Sequence, residues 1–515
     1  MPQDRTTPRQ AEPPASLFPL PKAKFGYEQA RRLLLRAGFG GTPDQIRALA
    51  SWGPEKAVDF LLETSKIPYD DPRLAKFDSS IMKEPDQTMR EEYRKAQKSG
   101  DEETLAKLRL MRQEAQRRDR QQAKEMQRWW LARMIESPKP LEEKMTLFWH
   151  GHFATSYRKI ENSWNLLQQN RMLREHALGN FGVMLGRIIR DPAMIAYLDN
   201  DKSRKERPNE NLARELMELF SLGVGAYSEK DIQEGARALT GYTFEGDRFE
   251  FREQWHDKGP KAVLGAHGLL DGEGFVRAIL DQPECARFIC WKIYRYFVRS
   301  DIPQDLREAP RWAGEAIRAM ASTMASRRHE IKPVLRQLFL SEHFYHPANA
   351  ATEIKSPAEL VVGAVRALNT PVRDLGVLND AMERMGQELF FPPSVKGWEG
   401  GRSWINTSTL YIRQNVLVYL LTGRMPLGGA GKPADDYDPT PLLKDLAANA
   451  PGAEQEPRQV VEAFLRLLIG EARDERAAIV NDYLRAVDAL DKPPTRETLT
   501  AILALITAMP EYQLA

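Results

Sequence analysis

Apolar side chains recur at helical spacing along most of this chain, and only residues 242–264 alternate in the manner of strands. There, Tyr242-Thr-Phe-Glu245 and Arg248-Phe-Glu-Phe-Arg252 flank Gly246-Asp247, a hairpin signal. His256-Asp257-Lys258-Gly259 makes a second turn leading into Lys261–Leu264. The predicted fold is therefore mainly α, a multi-helical single large domain with a small antiparallel β-hairpin insertion near 242–264. With 515 residues the chain can bury an extensive core.

Punctuation residues divide it further. Six prolines among polar residues predict a disordered lead over 1–25, ending in an extended anchor at Leu17–Pro21. A helical core is expected over 26–425. Within it, residues 86–136 form a charged helical arm, broken near Ser99-Gly100-Asp101, whose Trp129-Trp130-Leu131 end should dock. A Gly-, Pro- and Asp-rich linker is expected over 426–455, and 456–515 predict a C-terminal helical segment packing on the core.

Charge and apolar runs exclude some functions. A net charge of +2 provides no global field for nucleic acid or anionic membrane. Between Lys107 and Arg128 eight basic side chains face three acidic ones, yet few aromatics interleave to stack on bases. A solvated arm is expected there, and nucleic acid is not an expected partner. No apolar run approaches the roughly 20 residues of a membrane span. The first residues lack the apolar stretch of a secretory signal, so a cytoplasmic location is expected, with export by another route left open. Cys285 and Cys290 match no zinc or redox spacing and are expected as buried free thiols.

The richest candidate for chemistry is Pro208–Phe220. At about 100° per residue, Asn211, Glu215 and Glu218 share a narrow arc, opposite Leu212, Ala213, Leu216, Met217, Leu219 and Phe220. The arc is either the wet face of an amphipathic surface helix or the wall of a polar cavity. In the second case Glu215 and Glu218 are an acid/base pair or metal ligands. Arg214 and Asn211 would contact substrate.

Histidines supply the other candidates. His150 and His152 flank Gly151 within Phe148–Phe153. In an extended segment both imidazoles face one way and can share a metal ion; in a helix they sit about 160° apart and cannot. A buried histidine satisfied by hydrogen bonds is the plainer alternative. Upstream, Glu142 and Glu143 are expected in an exposed first helical turn. Asp257 either orients His256 for catalysis or caps its own turn. Lastly, Phe391–Thr409 carries two prolines, three glycines and many specific side chains. Trp398 and Trp404 can stack on a sugar ring, while Lys396, Arg402 and Asn406 can hold anions or hydroxyls. The bland reading of this loop is a packed cap, with Asn406 or Thr407 starting the next helix.

Several motifs in order resemble a large bacterial family catalogued as domain of unknown function 1800. They are Phe148–Phe153, Tyr197-Leu-Asp-Asn200, the Pro208–Gly223 helix, Ala236–Gly241, His256–Gly265 and Val395-Lys-Gly-Trp398. Leu34–Phe39 and Met509–Gln513 fit as well, so the resemblance covers about 27–515. It implies one elaborate, mainly helical fold and a shared polar site, and carries no catalytic role with it.

The leading expectation is an enzyme, a hydrolase or transferase using a divalent metal or a carboxylate pair on a small molecule, glycan or other polar polymer. Glu215, Glu218, His256 and Asp257 would do the chemistry, and His150 and His152 would hold metal. The alternative is a non-catalytic scaffold or binding protein whose polar motifs are structural networks.

Overall fold

The helical periodicity becomes 24 α-helices among the residues that the computed structural model describes, 12–69, 71–83, 87–424, 437–471 and 473–515. Local chemistry sets many helix starts. Thr42, Ser228, Ser356 and Asn406 each close a capping box with the residue three positions on, satisfying backbone N–H groups that lack helical partners. Two antiparallel hairpins interrupt the helices. Tyr242–Glu245 pairs with Arg248–Phe251, and Lys261–Val263 pairs with Ala266–Gly268. The second turns on Leu264 and Gly265, both at positive φ, as a two-residue hairpin of this twist requires. No helix of the described residues is long and apolar enough to cross a membrane.

The charged arm is a pair of packed helices, Gln87–Ser99 and Glu102–Glu136. The second spans 35 residues, and its last third enters the core through Trp129, Trp130, Met126 and Met134. Earlier on the same helix, buried Asp119 accepts from the Tyr157 hydroxyl (2.8 Å) and from the Ser163 hydroxyl (2.6 Å). The arm is thereby tied to the helix Ser163–Glu175.

The helix Pro140–His152 is the hub. Sequence expects Glu142 and Glu143 in an exposed turn, but Glu143 is fully buried. Its carboxylate accepts from Arg174 Nε at 2.8 Å, from Trp130 Nε1 at 3.1 Å and from Arg133 Nε. Burial alone would raise this carboxyl; Arg174 and Arg133 overcome it and hold it below the ordinary value. Next along the helix, Lys144 is equally buried and pairs with Glu359 of the helix Pro357–Leu368. Three helices are thus pinned to the hub by charge as well as by apolar packing.

The ends of the chain correct two expectations. Residues 1–11 and 425–436 lie outside the described residues. The segments after them are ordered by contacts rather than left as lead or linker. Leu20 N–H donates to Leu340 O (2.7 Å), Glu342 N–H to Phe18 O (2.9 Å), and His343 Nδ1–H to Pro14 O (2.6 Å). The Tyr437 hydroxyl donates to Leu368 O (2.7 Å), and short helices come next at Thr440–Leu443 and Lys444–Asn449. The C-terminal helix Arg496–Ala508 packs against Thr407–Thr422. Both cysteines are buried and free.

The Lys144–Glu359 pair yields a stability prediction. Burial pushes Glu359 up, and Lys144 and Arg36 overcome it and hold the carboxyl at about 2 against an ordinary 4.5. Replacing it by Gln strands a buried ammonium, which costs on the order of 3–5 kcal/mol. Because the folded value is depressed, the contribution is whole above pH 4.5 and is lost as pH falls towards 2. Thermal unfolding of wild type and Glu359→Gln should show a large gap at neutral pH that narrows through that window. A constant gap would contradict the ion pair.

Candidate functional site

The distant motifs around His150 and Trp398 meet through backbone. Gly397 adopts φ +75°, and a Cβ there would stand 2.2 Å from the Gly151 carbonyl oxygen. Only glycine tolerates both the conformation and the approach. The contact lays the loop after Phe391 across the end of the hub helix. Trp398 packs 5.6 Å from His150, which also meets Trp130 at 5.1 Å and Phe390 at 5.4 Å. Phe390 itself sits at φ 66°, a left-handed conformation costing about 1 kcal/mol for a non-glycine residue.

Both histidines lie on the helix, not on an extended segment, and this corrects the shared metal ion. His150 Nε2 accepts from Phe390 N–H at 3.1 Å, so its proton is on Nδ1. His152 Nε2 lies 3.0 Å from the Phe220 carbonyl oxygen. A carbonyl only accepts, so here the proton is on Nε2 and the lone pair on Nδ1. The two imidazoles bond to different elements in opposite tautomers. Among the described residues no group of three His, Cys, Asp or Glu side chains is arranged to hold a metal.

A cleft of about 210 Å³ opens beside Gly151 and His152. Its walls come from the hub helix, from Lys292, Arg295 and Tyr296 of the helix Pro283–Phe297, from Glu353–Ser356, and from Lys396, Trp398 and Trp404 of the loop. His152 Nδ1 is buried and accepts no hydrogen bond from the described residues. Burial pushes this imidazole down to about 3, helped by the nearby Lys292 charge. Lys292 is itself lowered to about 8, by burial first and by Arg295 second. Its ammonium lies over the Phe288 ring (5.4 Å) and the Trp291 ring (5.5 Å). No carboxylate pairs with it among the described residues. Glu353 is raised by burial and accepts from Ser300 N–H.

The acidic helix lines no part of the cleft and is linked to it through the attraction between Glu215 and Lys396. Asn211–Glu218 buries Leu212, Ala213, Leu216 and Met217 and leaves Glu215 and Glu218 half-buried. Burial raises the Glu215 carboxyl, the Glu218 charge adds to this, and Lys396 of the cleft pulls the other way. Glu218 accepts from the Tyr227 hydroxyl at 2.8 Å. The structure therefore brings Lys396, Trp398, Trp404 and His152 to one cleft, with Glu215 outside its lining but within reach of the Lys396 charge.

Other candidates go elsewhere. Asp257 does not orient His256: it pairs with Arg237 at 2.7 Å and accepts from Gly259 N–H at 2.8 Å as a turn cap. The ring of His256 turns to Thr240 O (2.9 Å), and neither residue lines the cleft. Asn406 is likewise a cap, accepting from Thr409 N–H at 2.9 Å, because that helix start needs an acceptor. Arg214 is held by Glu210 and Glu229. Asn211 and Arg402 are exposed and line no part of the cleft.

The family described as protein of unknown function (DUF1800) matches residues 32–514, nearly the whole chain. The chain belongs to the DUF1800 family. No curated protein and no solved structure matches it. In this DUF1800 protein, sequence reasoning missed Lys292, Arg295, Tyr296, Glu353 and Glu359. One signal was present: Lys292 and Arg295 stand three apart on a helix that is otherwise apolar after Arg287, and so share a face. Glu359 reads as a capping-box acid, which it is (Ser356 N–H donates to it at 2.8 Å), and nothing local reveals its second partner, Lys144.

The environment of Lys292 predicts its reactivity. Only the neutral amine acylates, so the labelling rate at this site should rise with a midpoint near pH 8 rather than at the ordinary 10.5. Site-resolved mass spectrometry after brief exposure to an acylating reagent reads this out. A midpoint at the ordinary lysine value would contradict a desolvated cleft lysine.

Proposed function

We propose that this protein is an enzyme, a hydrolase or transferase that carries out acid–base chemistry on a polar substrate held in the cleft. The observation that carries the reading is the His152 ring, whose Nε2–H is fixed by the Phe220 carbonyl while buried Nδ1 accepts nothing from the described residues. A buried acceptor without a donor is costly to maintain for stability alone. It suits a site that receives a hydroxyl from a substrate.

Magnitudes divide the roles. With its protonated form pushed down to about 3, His152 stays neutral near pH 7 and orients a hydroxyl without taking its proton. Proton transfer falls to the carboxylates. Glu215, raised by burial and by Glu218, is the acid, and Glu218, fixed by the Tyr227 hydroxyl, is its partner. Lys396 links this pair to the cleft, and Trp398 and Trp404 form an aromatic side for a flat or ring-shaped substrate.

A scaffold role is the second reading, and the buried Glu143–Arg133–Arg174 and Lys144–Glu359 networks favour it for the hub. Stability separates the two at Glu215. A raised carboxyl is a group whose ionised form the fold disfavours, so Glu215→Gln should leave the melting temperature unchanged or raise it. The same variant should lose about 100-fold or more of the activity found on a panel of glycosides, esters and phosphoesters. A lowered melting temperature with undiminished activity, or no activity in the wild type, would sink the enzyme. Metal analysis of the same two proteins tests whether the carboxylate pair holds a cation: the acid–base reading expects equal content in both.

A further inference from the structure

We propose that the cleft recognises an anionic, hydroxyl-bearing ring, that is, a sugar carrying a carboxylate or a phosphate. This rests on the cleft being the working site and adds the substrate class. Three features of the same cavity converge on that chemistry.

The first is an excess of cationic charge: Arg36, Lys292, Arg295 and Lys396 line the cleft against Glu353, Glu359 and Glu399. Lys292 lines the cleft with no carboxylate partner among the described residues, and Lys396 lines it within reach of the Glu215 charge. The carboxylates that share the wall are otherwise engaged: Glu359 is bound by Lys144, and Glu353 accepts from Ser300 N–H. Glu399, at the rim, is exposed and faces water. Arg36 and Arg295 donate to the carbonyls of Phe297, Tyr296 and Ser300, and their charges are partly balanced by Glu353 and Glu359 of the same wall. An anion entering the cleft meets the Lys292 ammonium, which no carboxylate pairs among the described residues, with Lys396 at the exposed edge.

The second is the acceptor on His152. His152 lines the cleft, its Nδ1 is buried and takes no hydrogen bond from the described residues, and the opposite nitrogen is committed to Phe220. A lone pair accepts only from a donor; a carboxylate offers none at neutral pH and a phosphate monoester few, whereas a sugar ring offers several hydroxyls. The ligand must therefore bring a hydroxyl in addition to its charge. The third feature is the tryptophan side. Trp398 is half-buried against His150, and Trp404 is buried in the same wall. A cavity of about 210 Å³ accommodates a single ring, since drug-sized ligands occupy roughly 300–1,000 Å³.

Equilibrium titration of the full chain, followed by tryptophan fluorescence and by calorimetry, tests this with D-glucuronate, glucose 6-phosphate, glucose and inorganic phosphate. The expected result is that at least one of the two acidic sugars binds about tenfold or more tightly than both glucose and inorganic phosphate, and more weakly as salt rises. Which acid binds better identifies the anion as carboxylate or phosphate. Lys292→Met should reduce that preference about tenfold, and Lys292→Arg should retain most of it. Lys396→Gln alters an exposed side chain, keeps the fold, and should also weaken the acidic sugars selectively. Equal affinity for glucose, or binding of inorganic phosphate as tight as that of the acidic sugars, overturns the proposal. So does an absence of binding up to about 10 mM, or an unchanged preference in both the Lys292→Met and Lys396→Gln proteins. Binding without turnover would leave this inference standing and sink the acid–base enzyme. Turnover of a neutral sugar with no preference for acids would do the reverse.

Discussion

A carboxylate with no access to water organises this molecule. Glu143 is enclosed by two guanidinium groups and an indole N–H, drawn from helices 10 to 31 residues away in sequence. A buried charge is tolerable only when geometry satisfies its lone pairs, so the helices that carry Arg133, Trp130 and Arg174 have little freedom to slide. Arg174 also stacks over Trp129 at 5.2 Å, which joins the charged network to the apolar core. The helix Pro140–His152 is thereby held at a fixed rotation. That rotation presents Lys144 to Glu359, His150 to Phe390 and His152 to the cleft.

A second constraint acts at the far end of the same helix. Gly151 and Gly397 touch backbone to backbone, and this places a loop from late in the chain over a helix from its first third. Packing of that loop brings Lys396 towards the acidic helix and Trp398 against His150. The cleft is a product of these two constraints. None of its walls is complete within one segment of the sequence.

The architecture was largely legible because it rests on local rules. Helical spacing, capping boxes such as Thr42–Gln45 and the Gly246-Asp247 turn act over a few residues and read directly. The site was legible only in pieces. The Phe391–Thr409 loop was singled out by its composition, and Lys396, Trp398 and Trp404 do line the cleft. Asn406 and Asp257 look the same in sequence whether they bind a ligand or cap a turn, and here they cap. For His150 and His152 the outcome depended on whether Gly151 ends a helix or sits within it. It sits within, held by aromatic neighbours on several sides. Glu143 and Lys144 resemble a solvated first turn because their partners lie on other helices, and no local pattern encodes a partner 215 residues away.

One backbone link has a mechanical meaning. Glu215 O accepts from Phe220 N–H at 3.0 Å, and Phe220 O receives the Nε2 proton of His152 at 3.0 Å. The acidic helix and the imidazole in the wall are joined by a relay of two hydrogen bonds through the backbone of Phe220. The position of the short helix that carries Glu215 and the orientation of the imidazole are therefore set together.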